Sequence, residues 1–312
     1  MPTCAVTKLG FPSKMTKPRA LITGLAGFTG HYVARELEQA GYEVHGLGSG
    51  PSLLANYHQA DIADAAHLRA VIDTVQPRVV VHLAGIAFVG HGDAAAFYRV
   101  NLIGTRNLLA ALADAATNLD CILLASSANV YGNSTEGSIT EDTLPEPAND
   151  YAVSKLGMEY MARLWQDKLP IVIARPFNYT GVGQTESFLL PKIVSHFKCR
   201  APQIELGNLD VWRDFSDVRV VAEAYRGLAQ AKAVGRTFNV CSGQATSLRE
   251  VISMMEDIAG YCIDVQVNPA FVRANEVKTL TGSADRLRSV LSDWQSIPLS
   301  DTLRWMYQAK SE

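Results

Sequence analysis

Short apolar runs separated by longer amphipathic stretches organise the first 180 residues. Residues 19–23, 42–47, 78–83, 120–127 and 171–174 are too short for buried helices and rich in Val, Ile and Leu, which predicts strands. The third run contains Val79-Val80-Val81, apolar at every position, as in a parallel strand covered on both faces. Between these runs the pattern predicts helices from the turn at 24–30 through Ala40, over 63–75, over 93–117, and from Asp150 to about Lys168. Strand and helix in alternation predict an α/β fold with a doubly wound parallel sheet. From Gly181 the alternation becomes irregular. Residues 181–312 are therefore expected to form a smaller α/β lobe, returning one or two strands to the sheet. In that lobe Ser247 should cap a helix from Leu248, residues 285–291 and 299–308 should be helical, and Trp294 should be a packing anchor.

Composition narrows the class. With 312 residues and 48% hydrophobic content the chain can bury a large core. No apolar run reaches the roughly 18 residues of a membrane helix. Residues 1–18 hold Lys8, Lys14 and Lys17 but no apolar signal region, so they read as a disordered tail or extended start, with Met15 an alternative initiator. A net charge of −3 gives no support for nucleic-acid binding. The cysteines are five, scattered, and without a Cys-x-x-Cys, which predicts reduced, mostly packed thiols in a cytoplasmic protein and no metal site.

Candidate chemistry begins at Gly24-Leu25-Ala26-Gly27-Phe28-Thr29-Gly30. A predicted strand precedes this turn and a predicted helix follows, the context in which glycines let the backbone approach a pyrophosphate on a helix N-terminus. A Rossmann-type nucleotide fold over 19–180 is the expectation, with Gly24, Gly27, Phe28, Thr29 and Gly30 against the cofactor. Such folds hold the ribose of NAD with an acidic residue near the end of the second strand. Residues 46–50 here read Gly-Leu-Gly-Ser-Gly, with no carboxylate and no arginine. This mildly favours NADPH, with Ser49 a donor to its 2′-phosphate, and leaves NAD possible.

Tyr151 and Lys155 are four apart in a predicted helix, on one face. A free tyrosine titrates near ~10, and a cation held beside it should lower that value. With Ser126-Ser127 at the end of an apolar run before Tyr131-Gly132, the chain resembles the extended short-chain dehydrogenase/reductase family over roughly residues 19–310. The resemblance implies a catalytic Ser127, Tyr151 and Lys155, with Ser126 structural. It puts Asp61 and Ile62 at the adenine edge, Asp61 doubling as a helix cap, and Leu83, Ala84 and Gly85 under the cofactor. It adds Asn101 and Pro176 to the cofactor site. It puts Phe88, Asn129 and Asn178 around the sugar, Arg213 and Arg273 on phosphates and Glu276 on a ribose. Arg213 could instead be a surface partner of Asp210 or Asp214. Val220 stands where the family often has Asp, which should cost a surface or capping contact. His82 and His91 read as strand-end and loop histidines rather than acid/base groups.

Related 4,6-dehydratases carry a glutamate two residues before the tyrosine matching Tyr131, and GDP-fucose synthases a cysteine. Here Asn129 stands there, and an amide is no acid or base at neutral pH. Elimination and C3/C5 epimerisation therefore look disabled, leaving hydride transfer at a sugar carbon. The resemblance, which extends to Gly207-Asn208-Leu209-Asp210 before Arg213-Asp214 as in enzymes acting on GDP-sugars, implies reduction of the C4 ketone of a GDP-linked 4-keto-6-deoxyhexose to GDP-D-rhamnose. The alternatives are GDP-6-deoxy-D-talose formation and a 4-epimerase. A dinucleotide sensor with a dead site is disfavoured by the intact Ser127, Tyr151 and Lys155. Family resemblance also implies a homodimer through the 93–117 and 150–168 helices.

Overall fold

The apolar runs pair into one parallel sheet because each is covered on both faces. A computed structural model describes residues 17–87, 92–115, 118–132, 137–271 and 278–310. Phe88, His91, Arg273 and Glu276 lie outside the described residues, as do residues 1–16. In the N-terminal part β1 (Arg19–Thr23) leads to α1 (Phe28–Gln39), then β2 (Glu43–Gly48), β3 (Tyr57–Gln59), α2 (Ala65–Val75) and β4 (Val79–His82). Next come α3 (Ala94–Phe97), a wider π-type stretch Tyr98–Gly104, α4 (Thr105–Asp114), β5 (Cys121–Ala125), α5 (Asp150–Arg163) and β6 (Ile171–Pro176).

The sheet order is β3-β2-β1-β4-β5-β6, extended at β6 by β10 (Thr237–Val240) from the C-terminal part, and every pairing is parallel. Successive side chains of a strand face opposite ways. Thus Ile22, Val79, Val81 and Leu123 pack on one face, and Leu21, Val80, Ile122 and Leu124 on the other. Strand order reverses beside β1, so a crevice opens at the carboxyl ends of β1 and β4.

The smaller lobe has its own core. It takes in β7 (Asn178–Thr180), α6 (Leu189–Lys198), β8 (Gln203–Leu206) and β9 (Trp212–Asp217) before α7 (Val218–Ala231) returns to the sheet. After β10 follow β11 (Ala245–Ser247), α8 (Leu248–Ala259), β12 (Asp264–Val267), β13 (Thr279–Leu280), α9 (Asp285–Arg288) and α10 (Leu299–Gln308). Phe197, Leu206, Val211, Met255 and Leu303 close this second core. Ser247 and Glu250 form a reciprocal capping box at α8.

Several expectations need correction. The short strand β3 carries no strong apolar run, and its pairing with β2 makes it a strand. The cap of α2 is Asp64, whose side chain accepts from Ala66 and His67; Asp61 instead turns the preceding loop by accepting from the Ala63 N–H at 2.8 Å. The helix expected over 93–117 is broken in character by its π-type stretch. Val220 is 4% exposed and its carbonyl accepts from the buried Trp294 indole, so that position belongs to the core rather than to a surface contact. Cys121 and Cys241 are buried, whereas Cys199 and Cys262 are exposed. Among the described residues no helix is long and apolar enough to cross a membrane.

Candidate active site

A cavity of about 1170 Å³ runs from the crevice to the small lobe. At one end is the glycine turn. Gly24 has φ +77°, and a Cβ there would lie 2.9 Å from the Ala84 nitrogen; at Gly30 it would run into the Leu25 carbonyl. Side chains are excluded at both positions, so backbone lines this end of the cavity. Gly27, at the cap of α1, supplies no side-chain cap, and the first turn of α1 has no acidic residue. That helix start suits a diphosphate, as a dinucleotide cofactor requires. Phe28 stacks on Tyr179, whose hydroxyl pairs with Thr29 at 2.9 Å.

Ser127, Tyr151 and Lys155 meet at the centre of the same cavity. Ser127 lies just beyond β5, at its carboxyl end, and its oxygen accepts from the Asn129 N–H at 3.1 Å. Tyr151 sits in the first turn of α5, behind the Asn149 cap, is 7% exposed, and its phenol faces the Ser127 hydroxyl. One turn on, Lys155 Nζ donates to the Ala125 carbonyl at 2.8 Å. The expectation that Lys155 lowers the phenol pKa does not hold here. Burial pushes Tyr151 up to about 12, opposed by the Ser127 hydroxyl, while the lysine is turned to a strand carbonyl. Burial also brings Lys155 down to about 8, against the pull of Glu159. The site thus holds a firmly protonated phenol, the state a proton donor needs.

Other expected residues divide. Leu83, Gly85, Asn129, Pro176 and Asn178 line the cavity. Asn101 is 1% exposed and lies behind it, closing a two-bond clasp on the Ile86 backbone and donating to Ser154. Ala84 is held from behind by the Thr23 hydroxyl. Ile62 packs into the core and Gly104 lies against it, while Ser49 and Asp61 follow β2 and β3 beside the glycine turn, outside the main cavity. His82 is buried between Thr23 (2.6 Å) and Thr105 (2.8 Å), and Thr105 spends its proton on the Asn101 carbonyl. The imidazole must therefore carry its proton on Nε2. Burial takes its pKa down to about 3, so it is a neutral strut.

The far end belongs to the small lobe. Arg213 lines the cavity from β9 and donates to the carbonyls of Trp212 (2.8 Å) and Lys278 (3.4 Å). The two nearby carboxylates in sequence have other partners. Asp210 pairs with Arg249, and Asp214 accepts from Ser242 and Gly243. Sequence reasoning missed Lys192, Asn208 and Phe271 on this wall, and Tyr179 against Phe28 and Thr29. Lys192 lies over the Phe271 ring at 4.8 Å and donates to the Glu205 carbonyl at 2.8 Å. Tyr179 directly follows Asn178, a residue expected around the sugar, and could have been found there. Lys192 reads only as one polar position of an amphipathic helix.

The family profile of GDP-mannose 4,6-dehydratase matches residues 21–306. The chain is 34% identical over 305 residues to GDP-6-deoxy-D-mannose reductase of Pseudomonas aeruginosa, covering 89% of this chain and 97% of that one. It is 31% identical over 294 residues to GDP-6-deoxy-D-talose 4-dehydrogenase of Aggregatibacter actinomycetemcomitans, covering 93% and 97%. Among solved structures, a Burkholderia cenocepacia J2315 protein provisionally called an epimerase is 53% identical, with TM-score 0.89 over 96% of this chain and 98% of that one. The RMD protein of P. aeruginosa complexed with NADPH is 32% identical, with TM-score 0.82 over 94% and 98%.

Proposed function

This chain belongs to the GDP-mannose 4,6-dehydratase group of the extended short-chain dehydrogenase/reductase family, and from that premise we propose that it reduces the C4 ketone of a GDP-linked 4-keto-6-deoxyhexose. The favoured conversion is GDP-4-dehydro-6-deoxy-D-mannose to GDP-D-rhamnose, with NADPH as reductant and NADH a possible substitute. The observation that carries it is the joint opening of Ser127, Tyr151 and Lys155 onto a cavity that also reaches the glycine turn and Arg213, with Asn129 beside them.

The cofactor supplies a hydride to C4. Ser127 and Tyr151 hold the ketone oxygen. As the C=O π pair moves onto that oxygen, Tyr151 transfers its phenolic proton there, and solvent later restores it. An alkoxide is a stronger base than a phenolate even at the raised pKa of Tyr151, so the transfer runs downhill. Lys155, anchored on the Ala125 carbonyl, orients this corner, and its ammonium would hold a ribose hydroxyl of the cofactor. Asn129 supplies no proton, which leaves the sugar's other carbons untouched. Arg213 offers a planar fork to the diphosphate.

The 2′-phosphate preference rests on residues 46–50, where Ser49 and Gly50 replace a carboxylate. Ile103, Val153, Tyr160 and Leu164 are 46, 40, 55 and 82% exposed on the Tyr98–Gly104 stretch, α5 and the turn after it. These apolar side chains support a homodimer through that face, in a cytoplasmic enzyme.

The test is incubation of the purified protein with GDP-4-dehydro-6-deoxy-D-mannose and NADPH, following nicotinamide absorbance and the C4 configuration by NMR. One NADPH consumed per ketone reduced is expected. A second reading, a 4-epimerase, is favoured by the provisional role of the 53% identical relative. Interconversion of two hydroxy sugars without net cofactor consumption would establish it instead. Reduction giving the opposite C4 configuration would identify the product as GDP-6-deoxy-D-talose.

A further inference from the structure

Behind the central group lies a buried ion pair that the reaction does not touch. Glu159 follows Lys155 by four residues and Tyr151 by eight, so all three share one side of α5. The Glu159 and Arg175 side chains are 0% and 3% exposed. Arg175 donates through Nη2 and Nε to the two carboxylate oxygens at 2.6 and 2.9 Å, and the Ser126 hydroxyl donates to Oε1 at 2.5 Å. The remaining Arg175 nitrogen donates to the Tyr131 phenol at 2.9 Å, and that phenol donates to Asn239 at 2.7 Å. One carboxylate therefore ties α5 to β5, and through Arg175 to β6, the Tyr131 turn and β10.

Its place is what matters. Ser126 stands between Ala125, whose carbonyl holds the Lys155 ammonium, and Ser127. A buried ion pair adds little net stability over well-packed apolar residues. Glue alone is therefore a weak reason to find one directly under these two groups.

We propose that Glu159 is a positioning residue: its carboxylate fixes the Ala125–Ser126–Ser127 strand end and provides the negative charge against which the Lys155 ammonium is held. This rests on the reading of Tyr151 and Lys155 as the proton-transfer pair. Glu159 is the anion that pulls Lys155 upward against burial. The other titratable groups around it do not supply that pull. Tyr151 is protonated, His82 on β4 is neutral, Arg175 on β6 is bound to Glu159, and Tyr131 is held protonated by burial with its pKa near 12. Glu141 acts on Tyr131 and, through Asn239, on β10.

The experiment measures the pH dependence of Lys155 carbamylation by cyanate, site by site by mass spectrometry, in the folded protein. It needs no sugar substrate, so a wild type that fails to reduce the 4-keto sugar would sink the reductase reading and still test this one. In Glu159→Gln the Lys155 midpoint should fall from about 8 by roughly one pH unit, the lower end for loss of a nearby opposite charge. The alkaline limb of kcat should move with it, so turnover falls more at pH 8 than at pH 6. Since Glu159→Gln strands the Arg175 charge and could prevent folding, Glu159→Leu/Arg175→Met removes both partners. NADPH binding should be retained there and the midpoint should still fall. A Lys155 midpoint unchanged from wild type in whichever variant folds, with turnover reduced equally at every pH, would overturn the proposal and leave the pair purely structural.

Discussion

The two ends of the cavity are built differently. Around Ser127, Tyr151 and Lys155 the polar groups are almost fully buried and pinned by other buried groups: Ser126 by Glu159, Asn101 by Ile86 and Ser154, His82 by two threonines. At the small-lobe end, Arg213 and Lys192 are partly exposed and donate to backbone carbonyls, and Phe271 is 50% exposed. One end is organised before any substrate arrives, which suits chemistry in which a small displacement costs rate. The other keeps long cationic side chains near water, which suits gripping a charged, hydrated nucleotide.

The sharpest way to break this division is at the chemical end. Tyr151→Phe keeps the ring packing against Phe97 and removes only the proton. Turnover should fall by roughly 10²–10⁴, with little change in substrate affinity. Near-normal turnover in steady-state kinetics would remove the phenol from the mechanism.

Arg213→Ala asks the reverse. Loss of a charged hydrogen-bonding group should weaken nucleotide-sugar binding by about 1.5–3 kcal/mol. The loss should appear in calorimetric Kd, while NADPH affinity stays as it was because the glycine turn is at the opposite end. A fall in kcat with unchanged sugar affinity would erase the distinction between the ends.

The smallest effect sharpens the cofactor reading. At Gly48 an added Cβ would meet the Tyr57 hydroxyl at 2.5 Å, so a carboxylate there would disturb β2 and β3 as well as the cofactor. Gly50 has open space around it. Gly50→Asp should move the NADPH/NADH ratio of kcat/KM toward NADH several-fold, an exposed charge being screened to about 1 kcal/mol. Wild-type protein that already binds NADH more tightly would refute the reading of residues 46–50.

The pattern along the chain disclosed β1, β2, β4, β5 and β6, the Ser247 cap and the Leu299–Gln308 helix, because these depend on neighbours within one turn or one pleat. The i, i+4 spacing of Tyr151 and Lys155 was legible for the same reason. Their consequences were not. A phenol beside a lysine suggests a lowered pKa, but burial by Phe97 and the sheet decides the opposite sign, and the Ala125 carbonyl claims the ammonium. Asn101 was expected in the cofactor site, and packing makes it a clasp behind the wall. Strand β3, the core position of Val220, and the meeting of Lys192 with Phe271 across 79 residues all depend on segments brought together by the fold. Local geometry follows from covalent spacing and is written in sequence order. Desolvation and long-range pairing depend on what surrounds a side chain in three dimensions, and only the tertiary structure sets that.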